Sequence, residues 1–146
     1  MKLDHPDFQL LLDELVGITK KILAKQGGFL PHGAIVSIDG KVGLVGALTK
    51  EEQPGSQKVL QVLEPALRDM AAKHKCRAIG MAIDIRLKAA PRKEDVGKDA
   101  IWVFLELKDG TAVSVFIPYR KSWLGGFTYG EGFKMPAKPR FFATPN

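Results

Sequence analysis

Three histidines, one cysteine and a scatter of carboxylates are the residues of this chain whose types could do chemistry. His74 and Cys76 are both metal-ligand types, but ligands two residues apart at a helix end do not converge, and no second pair follows at ligand spacing. No metal and no cofactor is expected. Cys76 as a nucleophile would need a base and an electropositive pocket beside it; a lone thiol is more often a small buried hydrophobe. His32, entering a strand directly after Pro31, could serve as a base next to a carboxylate, though a structural hydrogen bond is the commoner fate of such a ring. Asp84, Asp99 and Glu106 could supply paired carboxylates for acid–base work. Asp84 and Arg86 share one strand face, however, and an ion pair is the simpler account. Gly125–Gly132 (GGFTYGEG) is glycine-rich, yet it lacks the Lys-Ser/Thr ending and the following helix of a phosphate loop. It reads as a turn-rich segment, and catalysis is the least supported reading.

The better candidate is a recognition element. From Tyr119 and Arg120 through Trp123, Phe127 and Tyr129 to Arg140-Phe141-Phe142, rings alternate with cations. Such a segment suits base stacking and phosphate neutralisation. It equally suits a protein interface, where Trp, Tyr and Arg are the usual anchors, and the interface is the favoured of the two.

The elements that must position these residues are legible. Leu11, Leu12, Leu15, Ile18, Ile22 and Leu23 recur at helical spacing and predict a helix over 7–25, capped by Asp4 or Asp7 and ended at Gly27-Gly28. Residues 34–47 alternate around Asp39-Gly40, a pair that predicts a two-residue hairpin turn because both central residues must tolerate φ > 0. Val59, Leu60, Leu63, Leu67 and Met70 predict a second helix over 56–75, kinked or divided at Pro65. Residues 78–87 alternate strictly, with Ile79, Met81, Ile83 and Ile85 on one side and Ala78, Gly80 and Ala82 on the other. Residues 89–98 (AAPRKEDVGK) read as a mobile loop. A closing hairpin over 99–119 turns at Asp109-Gly110.

The order α-ββ-α-βββ predicts an α+β single domain over residues 1–146: a five-stranded antiparallel sheet with two helices on one face. Residues 120–146 follow as an irregular aromatic tail. The aliphatic rows of the last three strands would lie under the helices, leaving Trp102, Phe104, Phe116, Gly80 and Ala82 on the opposite face. That surface is too apolar to stay wet. The tail or a second copy of the chain must cover it, so Trp102, Phe104, Phe116, Tyr119, Arg120, Trp123, Phe127 and Tyr129 are the interface candidates. A homodimer follows as the expectation, with an unidentified protein partner beside it and an RNA or other anionic ligand as the alternative.

Composition agrees with an ordinary globule, 45% hydrophobic and 26% charged. No apolar run reaches the ~18–20 residues of a spanning helix. The N-terminus MKLDHPDF lacks the basic-then-apolar order of a secretory peptide. A single cysteine excludes an intramolecular disulfide and fits a reducing compartment, so a bacterial or archaeal cytoplasm is expected. The net charge of +6 is uneven: residues 1–76 carry ten bases and nine acids, residues 77–146 twelve and seven. The excess is small enough to be solubilising surface charge.

FLPHGAIVSIDGKVGLVGA, the AIGMAIDIRLKAAP strand, DAIWVFLELKDGTAVSVFIPY and the final KPRFF together resemble a family of small uncharacterised bacterial α+β proteins. Its members have an F-x-P-x-G entry to the first hairpin and a DAIxV…DGxAVxVFxPY closing hairpin. The resemblance spans residues 8–142 and implies a shared fold, with no activity to carry over. Where that family has an aromatic residue this chain has His32, which argues against a catalytic role for the ring. The element order is also similar to roadblock and profilin-like folds, a likeness of architecture that implies no function.

Overall fold

A computed structural model describes residues 1–88 and 98–142. The loop expected at 89–98 falls, apart from Lys98, outside the described residues. The chain runs α1 (Pro6–Gln26), β1 (His32–Ser37), β2 (Val42–Val45), α2 (Ser56–Ala72), β3 (Cys76–Arg86), β4 (Asp99–Leu107), β5 (Ala112–Lys121), β6 (Phe127–Tyr129) and β7 (Phe133–Ala137). All pairings are antiparallel, in the order β2-β1-β3-β4-β5, with β6 and β7 lying successively along the outer side of β5.

The termini of α1 show how local chemistry sets its bounds. His5, not Asp4 or Asp7, is the N-cap: its Nδ1 accepts the Asp7 N–H at 3.1 Å. Pro6 occupies the first turn, where its missing N–H costs nothing. Gly27 adopts φ 77° and donates to the Leu23 carbonyl, a left-handed stop. Asp7 is freed for another task. Its carboxylate takes a bidentate pair of bonds from Arg77 at 2.9 and 3.0 Å. The β1–β3 register slips at Arg77, with Val36 opposite Ala78 and Ser37 opposite Cys76, and that bulge aims the guanidinium at the helix start. The second helix runs unbroken through Pro65.

Three expectations are corrected. Among the described residues the sheet has seven strands instead of five, because the glycine-rich tail folds back: Phe127-Thr128-Tyr129 and Phe133–Ala137 alternate and pair with β5. Pro136 is tolerated because β7 is an edge. The helices lie on opposite faces of the sheet, not on one. α1 packs Leu11, Leu12 and Leu15 over Ala34, Ala78, Ala82, Val103 and Leu105, whereas Leu63 and Leu67 of α2 pack over Ile79, Met81 and Ile83. The third correction explains the second. Ile79, Met81 and Ile83 stand opposite Glu106, Phe104 and Trp102, so the bulky row of β3 shares a face with the aromatics rather than with Ile101, Val103 and Leu105. Two bulky faces require two covers.

The small residues of β3 set the spacing on the α1 side. A Cβ on Gly80 would sit 2.8 Å from Leu15 Cδ1 and 3.0 Å from Leu105 Cδ2. The helix reaches the sheet only because that atom is absent.

Candidate interaction surface

The aromatic side chains singled out in the sequence divide between the two faces. Trp102, Phe104 and Phe116 alternate onto the α2 face, and Arg120 follows on the same side of β5. Tyr119, Phe127 and Tyr129 belong to the α1 side. Trp123 stands apart at the apex of the β5–β6 turn. The eight do not form one surface.

On the α2 face the sheet is covered by the chain itself. Phe104 is buried beneath Phe141, ring centroids 5.7 Å apart in an edge-on contact. Arg140 lays its guanidinium 5.1 Å from the Trp102 ring centre and 5.4 Å from that of Phe104, and it reaches Glu64 of α2 at 3.4 Å. Glu106 pins this segment. Fully buried at 0% exposure, its carboxylate accepts the backbone N–H groups of Arg140, Phe141 and Phe142. Sequence reasoning considered Glu106 only for acid–base work. A carboxylate in the otherwise apolar row Trp102, Phe104, Glu106 of a central strand was the available signal.

Trp102, Phe116 and Phe133 continue outward as a half-buried ladder across β4, β5 and β7. Their centroids are 6.2 and 5.3 Å apart and their planes within 11° and 22° of parallel. Trp102 Nε1–H is also spent, on Ser114 Oγ at 2.9 Å. Phe116, between Trp102 and Phe133, has a ring on either side of it.

On the α1 side Tyr119 is buried and donates its hydroxyl to Asp84 Oδ1 at 2.6 Å. Burial holds the Asp84 carboxyl above its usual range against the lowering effect of the Tyr119 bond, and the nearby Asp99 adds to the rise. Burial first, then Asp84, pushes the phenol of Tyr119 far above its own. The pair locks the ends of β3 and β5. The ion pair expected from Asp84 and Arg86 gives way to this carboxylate–phenol bond. Tyr129 lies under the Lys20 ammonium, 4.4 Å from its ring centre, at a cleft of about 380 Å³ between α1 and β5, where Asp13, Gly17, Ile117 and Gly132 complete the walls.

The remaining chemical candidates are structural. His32 has both ring nitrogens engaged, Nε2 with Thr19 Oγ1 and Nδ1 with the Leu30 carbonyl, each at 3.0 Å, and burial lowers its pKa. Cys76 is fully buried and burial raises its thiol pKa, which disfavours the nucleophilic thiolate. Gly125–Gly132 leads into strands, not a helix. Among the described residues no three His, Cys, Asp or Glu side chains converge as a metal set. Nor is any described helix long and apolar enough to cross a membrane.

The apex of the β5–β6 hairpin is different in kind. Trp123 is 90% exposed and Leu124 77%. The turn beneath them is built: the Ser122 N–H donates to the Gly126 carbonyl at 2.9 Å and the Gly125 N–H to the Ser122 carbonyl at 3.1 Å. Gly125 and Gly126 take φ of 98° and 75°, values that favour glycine. Phe127 packs on Tyr119 at 5.9 Å and anchors the returning strand in the core. Arg120 and Lys121 stand exposed at the base. Comparison with protein-family models, with curated proteins and with solved structures finds no match to the chain.

Proposed function

We propose that this chain is a non-catalytic protein-docking module whose recognition element is the Trp123-Leu124 apex. The observation that carries this reading is a tryptophan and a leucine held almost wholly in water at the tip of a hydrogen-bonded hairpin. Leaving large apolar groups so exposed is unfavourable unless they are buried elsewhere, and Trp is the residue most enriched at binding hot spots. Arg120 and Lys121 at the base favour a partner with an apolar pocket rimmed by carboxylates. The outer sheet face, where the sequence suggests the interface, is occupied by α2 and the 140–142 segment, so the docking element moves to the tip.

The test is binding of a partner isolated from the source cell, measured with purified proteins. Trp123→Ala should weaken it by about 2 kcal/mol or more, roughly thirtyfold. Arg120→Glu should slow association and alter its salt dependence. Equal affinity for the wild type and Trp123→Ala would remove the proposal. So would tight binding of oligouridine with a steep salt slope, which would favour the nucleic-acid reading instead.

A further inference from the structure

The sheet ends differently at its two edges. On the far side, β6 and β7 are separated by Gly130–Gly132, and β7 carries Lys134 and Pro136, residues that discourage another strand from pairing. The β2 edge has no such protection. Its four residues are Val42-Gly43-Leu44-Val45, with no charge and no proline, and among the described residues nothing pairs with their outer side. Exposed apolar side chains concentrate beside it: Leu44 at 51%, Leu48 at 94%, and Ile38 in the turn.

The backbone polarity of this edge follows from the first hairpin. The Ser37 N–H donates to the Lys41 carbonyl at 2.8 Å, and β1 pairs Val36 with Val42, Ile35 with Gly43 and Ala34 with Leu44. Hydrogen-bonded and non-hydrogen-bonded pairs alternate along an antiparallel ladder. Lys41, Gly43 and Val45 therefore turn their main-chain groups toward β1, while Val42 and Leu44 turn theirs outward.

We infer that β2 pairs with β2 of a second copy of this chain, antiparallel about a twofold axis at Gly43. This register sets Val42 of each copy opposite Leu44 of the other, so every outward N–H and carbonyl of the two residues meets its complement. Centring the axis on Val42 or Leu44 instead leaves one of the two outside the strand pairing. The same register places the Val42 and Leu44 side chains of both copies in one row on the α1 face. A strand of four residues buries little area by itself; these apolar side chains supply the rest. Gly43 falls in the close, non-hydrogen-bonded position, where Cα atoms approach to about 4.5 Å. The result is one sheet continuous across two subunits, with both hairpin tips at its far ends. The inference does not depend on the tip's role.

Light scattering across a concentration series, with a cross-linking variant, decides it. The wild-type chain should be a dimer in the micromolar range, and Leu44→Lys should raise the dissociation constant by about tenfold or more while Trp123→Ala leaves it unchanged. Gly43→Cys should form an intersubunit disulfide on mild oxidation. A Cβ there meets only Ile35 at 3.8 Å, the expected Cα separation suits a disulfide, and the native Cys76 is buried. Asp39→Cys, outside the paired strand, should not cross-link at a comparable rate. A monomer throughout, or a dimer broken by Trp123→Ala and untouched by Leu44→Lys, would overturn the inference. So would an edge that takes up an extended peptide but not a second subunit.

Discussion

Asp84 pays for its place between β3 and β5 in its titration. Desolvation raises its pKa above the ordinary 3.8 despite the bond from Tyr119. For a group whose folded pKa is raised, the favourable contribution is complete below the unfolded value and is lost as pH climbs through the folded one. At neutral pH the charged carboxylate is therefore a net liability. Asp84→Asn keeps an oxygen to accept the Tyr119 hydroxyl and removes the charge. The variant should be more stable than wild type to urea at pH 7, with the gap closing toward pH 4. An equal gap at both pH values would show that the charge is not the cause. The sequence placed Asp84 on a strand face, but its partner lay 35 residues away on another strand, and only the sheet register brings the two together.

At the scale of elements, the contact between α1 and the sheet depends on one missing methyl. Gly80→Ala would place a carbon 2.8 Å from Leu15 Cδ1 and 3.0 Å from Leu105 Cδ2. Both neighbours are ends of flexible side chains, so the core should yield at a cost of about 1–3 kcal/mol. Urea unfolding should show that loss, whereas Gly43→Ala, with only Ile35 at 3.8 Å, should stay within roughly 0.5 kcal/mol. Helix periodicity, the places of both hairpin turns and the alternation of β3 were readable because each is a local pattern. The turn type was not: Gly40 and Gly110 take φ of 90° and 91° while neither Asp39 nor Asp109 has a positive φ, and three residues lie between Ser37 and Lys41 and between Leu107 and Thr111 instead of two. The last two strands were not. Phe127-Thr128-Tyr129 spans three residues and Phe133–Ala137 contains a proline, so neither carries enough alternation to announce itself without β5 alongside.

Across the whole molecule, the covering of the α2 face rests on Glu106. Its carboxylate receives three backbone N–H groups from Arg140, Phe141 and Phe142, and Phe141 in turn seals Phe104. Glu106→Ala leaves those donors without their acceptor and should cost about 3 kcal/mol or more, since a buried donor left unpaired loses its full hydration. Trypsin should then cut after Arg140 well before the sheet is attacked. Unchanged cleavage there would mean that Phe141 and Arg140 hold the segment unaided.

What the amino-acid order determined alone is the two helices, the first five strands and the need to hide two apolar faces, because helical stripes, strand alternation and the places of the turns are written in neighbouring residues. The tertiary structure decided which rows share a face, which side each helix takes, and that the chain's own end covers the aromatics. Those outcomes turn on strand register, and a shift of one residue exchanges the two faces of a strand entirely.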